Sequence, residues 1–403
     1  GLVVVVDEVV AGHEAGPREV RRLLEATAVG GEHPGVDDGD DRALAPGAGP
    51  GGGHLDLVQV PLVLVVGVVG PECAAAGFRG LGGLVRVARA ILTGPSELAE
   101  AMTRDPDLGR WISAAEQLLD EEQPPERFEG LLALLPRFEV AIALRTGGDV
   151  DVRVVLGTGG RARLPTDGRV LQGPSAHPIR VQVTSGELRA HTKPPRQLGP
   201  FELVDGDATG GRIPDVTPLS GGALFRASRT LSDAVAVLEE THPSALAEAA
   251  IVAPVLFAAK TEGDVSHSAG LAEARGAIWL SLPPRPRVVA ETLIHEASHL
   301  LFHLVEDQTL FVEGDDPPRL KVPWRADLRP ARAVLMGVHA WVRILRWLVG
   351  LRDGPHAEWA ADRERLIADA LGAARSVPGA QDGLSEAGVA LWDGLYRAVD
   401  DLV

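Results

Sequence analysis

His295-Glu296-Ala297-Ser298-His299 is the segment whose residue types and spacing carry chemistry. Residues four apart lie on one face of an α-helix, so the two imidazoles project to the same side and can grip one metal ion. Glu296 is turned about 100° from His295. It can therefore flank a metal-bound water or ligand without being a ligand itself. Apolar residues at 289, 293, 294, 297, 300, 301 and 304 mark a buried face around the segment. Two imidazoles and a carboxylate buried there are costly unless a metal or hydrogen-bond partners satisfy them. That favours metal binding over two ordinary core histidines.

A third ligand must come from elsewhere. In one class of HExxH peptidase a Gly and a third His follow the second His by three and six residues. Here those positions hold Phe302 and Val305. Another class takes a Glu from a downstream helix, but the helix expected over Pro330 to Leu348 has neither Asp nor Glu in its sequence. It does have His339, with Gly337 nearby to permit close approach, and His339 is the best candidate. His303, one turn beyond His299, is the rival. Arg332, His339, Arg343 and Arg346 form one stripe of that helix. Arginines beside a metal ligand suggest an anionic co-ligand, although each one alone is better explained by solvation and salt bridges.

The elements that must position these residues follow from periodicity. Helices are expected at Leu81–Leu92, from Ser96 (as N-cap) to Ala101, from Asp105 to Glu121, and over Arg127–Leu144, where Pro136 should kink or split the helix. The period then changes to two, with strands at Val150–Leu156, Ala162–Leu164, Ile179–Val183 and Phe201–Val204. A helix over Leu224–Leu238 and strands at Ile251–Ala259 and Ala277–Leu282 come next. Helices follow at Val288–Glu306, with Pro286 suiting its start, at Pro330–Leu348, at His356–Ala374 and at Leu384–Val399. The expected fold is α+β: mainly helical with a small central mixed sheet, the metal site lying on the HExxH helix and a following helix. Residues 1–80, with a Gly- and Asp-rich stretch from Gly30 to His54, read as an atypical, poorly structured segment. Residues 81–403 read as one α+β metalloenzyme domain, helical over 81–148, sheet over 149–282 and helical again over 283–403.

Composition excludes several classes. The 403-residue chain carries a formal net charge of −17, which repels phosphate backbones and argues against a nucleic-acid partner. One cysteine, Cys73, permits neither an internal disulfide nor a cysteine zinc knuckle. The longest apolar run, Val60–Val69, is about half a membrane span. With no basic region before an apolar stretch at the N-terminus, the expected compartment is the cytoplasm and no membrane partner is expected.

On three of its motifs the chain resembles the HExxH-motif proteins encoded beside ribosomally made peptide natural products in bacteria. These are regarded as iron- and 2-oxoglutarate-dependent peptide β-hydroxylases. The resemblance rests on Ala290 to His299, on Val322-Pro323-Trp324-Arg325 with Arg329-Pro330, and on Gly337-Val338-His339-Ala340-Trp341. Weaker echoes are Asp105-Pro106 to Trp111, Leu164-Pro165-Thr166 before Gly168, and Gly276 to Ser281; Leu328 departs from the expected polar residue. The resemblance implies Fe(II) held by His295, His299 and His339, with chelating 2-oxoglutarate and O₂ at the remaining positions. Arg343 or Arg325 would bind the distal carboxylate of 2-oxoglutarate. Glu296 would orient a ligand or the substrate, which would be a precursor peptide. The strand Ala277–Leu282, as an exposed edge, would hold that peptide by backbone pairing. The competing reading is a Zn(II) metallopeptidase with Glu296 as general base on a zinc-bound water. A third is a peptide-binding protein that keeps the metal for stability.

Overall fold

The computed structural model describes residues 86–88, 90–91, 94–120, 129–157, 160–174, 178–204, 219, 221–259, 268–270, 276–281, 285–314 and 319–403. The expectations for residues 1–80, Cys73 among them, lie outside these, as does most of the helix expected from Leu81. The fold is α+β and mainly helical.

Residues 86–88 and 90–91 are helical, and after them come α1 (Ser96–Thr103), α2 (Pro106–Asp120), α3 (Glu129–Leu132) and α4 (Leu135–Thr146). Ser96 is not the cap of α1. Pro95 occupies that position with extended backbone, and no side chain caps the helix. Pro136 does split the helix expected from Arg127. It lacks an N–H and clashes with the preceding turn, so it is accommodated only in the first turn of α4.

Eight strands follow: β1 (Val150–Val155), β2 (Arg161–Arg163), β3 (Val170–Gln172), β4 (Pro178–Thr184), β5 (Glu187–Arg189), β6 (Thr192–Lys193), β7 (Arg196–Leu198) and β8 (Phe201–Val204). β1-β4-β5 and β2-β3-β6 form two small antiparallel sheets. After β8 come α5 (Gly221–Thr241), α6 (Pro243–Val252), β9 (Val255–Ala259), β10 (Ser268–Ala269) and β11 (Ala277–Ser281). The strand expected from Ile251 starts only at Val255. Pro254 disfavours helical backbone at Ala253, so α6 ends at Val252 and the strand begins beyond the proline.

The central sheet has the order β10-β11-β9-β8-β7. β8, β9 and β11 run parallel, and α5 and α6 lie in the crossover that a parallel pair requires. Alternation gives the sheet two buried faces. Leu256, Ala258, Ile278 and Leu280 join the main helical core, while Val255, Phe257, Ala277 and Trp279 pack on the other side. Phe257 and Trp279 stack with centroids 4.7 Å apart. β11 is not the exposed edge expected from sequence: it lies between β9 and β10, and all of its residues are buried.

The last elements are α7 (Pro286–Glu306), the hairpin β12 (Arg319–Lys321) and β13 (Leu328–Pro330), α8 (Ala331–Val349), α9 (Ala357–Arg375) and α10 (Glu386–Leu402). α7 packs against α5, α6 and α8, and α8 against α9 and α10. No helix among the described residues is long and apolar enough to cross a membrane.

The three weaker sequence echoes meet in space. Arg163 on β2 is buried among Asp105 (2.9 Å), Asp107 (3.3 Å) and Glu202 (2.8 Å). The Thr166 N–H donates to Asp105 at 2.5 Å. Gly276 has φ +85°, and a Cβ there would sit 2.1 Å from the Arg104 carbonyl. The Arg110 guanidinium lies 6.0 Å from the Trp279 ring.

Candidate metal centre

α7 begins with Arg285 as its N-cap and Pro286 in the first turn, and runs for 21 residues. It carries His295 and His299 on one face, with ring centroids 4.4 Å apart. α8 crosses it and brings Trp341 to 5.3 Å from His295, while His339 lies 6.0 Å from Phe302 of α7. Burial lowers all three histidines. His295 falls to about 4, helped by the nearby Arg363 charge. His299 falls to about 2, with His295, His303 and His339 adding repulsion. His339 falls to about 4, with Arg343 adding to the effect and a hydrogen bond to the Ser298 backbone opposing it. All three are therefore neutral at pH 7, the state in which imidazole is a ligand.

The two candidates for the third position stand in different environments. His303 is satisfied: Arg332 lies 3.0 Å from its Nδ1, and Glu306 lies 3.8 Å away. Against the upward push of burial, the hydrogen bonds from Arg332 and the proximity of His303 draw Glu306 down to about 2. His339 is not satisfied in this way. Its Nδ1, like that of His299, is buried without a hydrogen-bond partner. Such a nitrogen costs on the order of 1–3 kcal/mol, and a metal ion is one partner that offsets this. The donors thus fit a metal in kind. As placed, however, no group of three or more His, Cys, Asp or Glu side chains among the described residues is gathered to hold an ion.

Glu296 is turned toward the sheet. Its Oε1 accepts from Ser268 Oγ at 2.6 Å and its Oε2 from the Gly270 N–H at 2.7 Å. Burial raises its carboxyl above the usual range, and these two bonds oppose the rise. A side chain at Gly270 would collide with the Glu296 carbonyl at 2.7 Å, so glycine is what lets β10 lie this close to α7.

The arginines are placed unequally. Arg343 donates from Nε to Ser298 Oγ at 2.9 Å and pairs with Glu248. Its charge therefore stands beside His339. Arg325 sits half-exposed on the β12–β13 loop, 3.3 Å from Asp327. Its neighbour Trp324 packs over Gly337, the close approach foreseen at that glycine, and lies 6.5 Å from Trp341.

Sequence reasoning missed Glu291 and Arg363. Arg363 of α9 pairs with the buried Glu291 and lies 5.4 Å from the Trp341 ring. Glu291 stands four residues before His295, a spacing that places both on one helix face. Arg363 is 72 residues away from Glu291 and carries no local signal. Ser268 and Gly270 were missed as well, because a two-residue strand has no readable period.

A scan against protein-family models finds no match, and a search of curated proteins finds no similar sequence.

Proposed function

We propose that this chain is an iron(II)- and 2-oxoglutarate-dependent hydroxylase of a peptide side chain, acting at the β-carbon during maturation of a ribosomally made peptide natural product. His295, His299 and His339 are the metal ligands in this reading. The observation that carries it is the pairing of His299 and His339 across two helices, each with a buried orphan Nδ1. The donors are neutral, and α8 sets arginine rather than carboxylate beside them. A neutral ligand set beside a cation suits a dianionic co-substrate that chelates the metal.

Iron(II) with 2-oxoglutarate, when bound, supplies the oxidation that places one oxygen atom of O₂ on a C–H carbon, the other leaving in succinate as CO₂ is lost. The chain's own residues prepare that chemistry. Trp341 packs on His295 and Phe302 on His339, which fixes the orientation of these rings. Arg343, anchored by Ser298 and Glu248, provides the positive field for the distal carboxylate. Arg325, paired with Asp327, is the second choice. Glu296 ties β10 to the metal helix and so shapes the peptide's approach.

Anaerobic titration of the apo-protein with Fe(II) and then 2-oxoglutarate tests the reading, with His299→Ala as control. The expected result is a weak visible charge-transfer band that the variant loses. No band, together with tight zinc binding, favours the second reading, a zinc metallopeptidase. One observation speaks for that alternative: burial lifts the Glu296 carboxyl in the direction a general base needs. The engagement of both its oxygens speaks against it.

A further inference from the structure

Glu291, Arg363, Trp341 and His295 close a circuit that starts and ends on α7. Glu291 stands one helical turn before His295, and its carboxylate is buried. Arg363 of α9 grips both of its oxygens. Nε lies 3.0 and 3.1 Å from the two, and Nη2 donates to Oε1 at 2.6 Å. The same guanidinium lies 5.4 Å from the Trp341 ring on α8. Trp341 in turn meets His295, with centroids 5.3 Å apart and planes at 61°.

A histidine that holds a metal is ordinarily fixed by a hydrogen bond from its second ring nitrogen. His295 makes no hydrogen bond among the described residues. Its orientation rests on ring contacts instead, with His299 at 4.4 Å and with Trp341. Trp341 is half-buried, and two further elements confine it: Trp324 of the β12–β13 loop at 6.5 Å, and Arg363. Of these two, Arg363 is the one anchored to the helix that carries His295. A planar guanidinium serves both contacts at once, with a carboxylate along its edge and an indole beside it. Apolar residues of similar volume often serve stability as well as a buried ion pair does. Stability alone therefore does not account for the pair.

We infer that the Glu291–Arg363 pair is a positioning device: it holds Trp341 against His295 and so fixes the ring plane of the first histidine of the metal site. The inference rests on the three-histidine reading above. Neither residue is a ligand in that reading, and both act through Trp341.

The sign of the effect separates positioning from charge. A guanidinium whose charge is felt at His295 also repels a metal cation there. By charge alone, its removal tightens metal binding. By loss of positioning, its removal weakens it.

The test uses the full chain with Co(II) as the probe, its affinity read by competition with a chromophoric chelator. Arg363→Met should weaken Co(II) binding by roughly tenfold or more. The double variant Glu291→Met with Arg363→Met strands no buried charge, so it should melt close to wild type and lose affinity to a similar extent. Unchanged or tighter binding in the double variant overturns the positioning role. A second readout needs no metal. In protein with ¹³C-labelled histidine rings, the His295 signal is assigned by its loss in His295→Gln, and it carries the ring-current shift of Trp341. The double variant should move this signal in the same direction as Trp341→Leu does. A signal left in place overturns the positioning role as well. The two readings fail separately. No Co(II) binding in wild type, with a signal that moves, removes the metal centre and leaves the clamp on His295. Co(II) binding that His299→Ala abolishes, with affinity and signal both kept in the double variant, removes the clamp and leaves the centre.

Discussion

His299 and His339 stand on different helices within electrostatic reach of each other, and each buries an Nδ1 that has no hydrogen-bond partner. One turn beyond His299, His303 has Arg332 and Glu306 as neighbours. On the reading proposed above, the contrast separates a metal ligand from a histidine used in the scaffold. His339→Ala should therefore lower metal affinity about as far as His299→Ala, by at least ~10-fold. His303→Ala should leave it near wild type. Metal content after dialysis decides; full metal in His339→Ala with loss in His303→Ala reverses the assignment.

Glu296→Gln keeps the shape of the side chain but turns an amide N–H toward one of the two donors it now accepts from. Charge-assisted bonds of this kind contribute about 1.5–3 kcal/mol. The variant should melt lower, and amide exchange at Gly270 should accelerate, while metal binding persists. Unchanged exchange at Gly270 would show that Glu296 does not hold β10.

Acid should destabilise the metal-free protein before it touches most carboxylates. His295 and His339 are held to about 4 in the fold, chiefly by burial, against about 6.5 in an unfolded chain. Between these values the unfolded state binds more protons, so stability is full above pH 6.5 and falls as pH drops toward 4. From pH 6.5 to 5 the loss is roughly 2 kcal/mol per histidine. Glu296, raised by burial, contributes with the opposite sign. Denaturant melts at stepped pH check this, and a stability flat from pH 7 to 5 would refute it.

Arg163→Met removes the buried guanidinium that pairs with Asp105, Asp107 and Glu202. Burial already raises the Asp105 carboxyl. Stranding these carboxylates should cost about 3–5 kcal/mol. Asp105→Asn should cost less, because its side-chain oxygen can still accept from the Thr166 N–H. A wild-type melting temperature for Arg163→Met would show that the arginine is dispensable.

Much of this arrangement was legible in the sequence where periodicity is long. The run from Val288 to Glu306 is visible because a helix repeats its buried face over several turns, and it is found with Pro286 at its start. Pro136 and Pro254 act on backbone geometry, but only the first was read; the second moved the start of β9. Short strands such as β10 and β12 offer no period to read. The position of β11 inside the sheet depends on β10, so its expected exposed edge had no local contradiction. The four-residue spacing of His295 and His299 on α7 was local and readable. Which arginine stands beside which histidine was decided by helix crossings that no local pattern encodes.

The packing of Trp341 against His295 also gives the protein its own optical reporter. Were His295 to hold an open-shell ion, that ion would quench the emission of the adjacent indole, whereas a closed-shell ion such as zinc would leave it bright. With seven tryptophans in the chain, the emission that Trp341→Phe removes isolates this ring. The difference would identify the class of ion from the unlabelled protein, before any peptide is supplied.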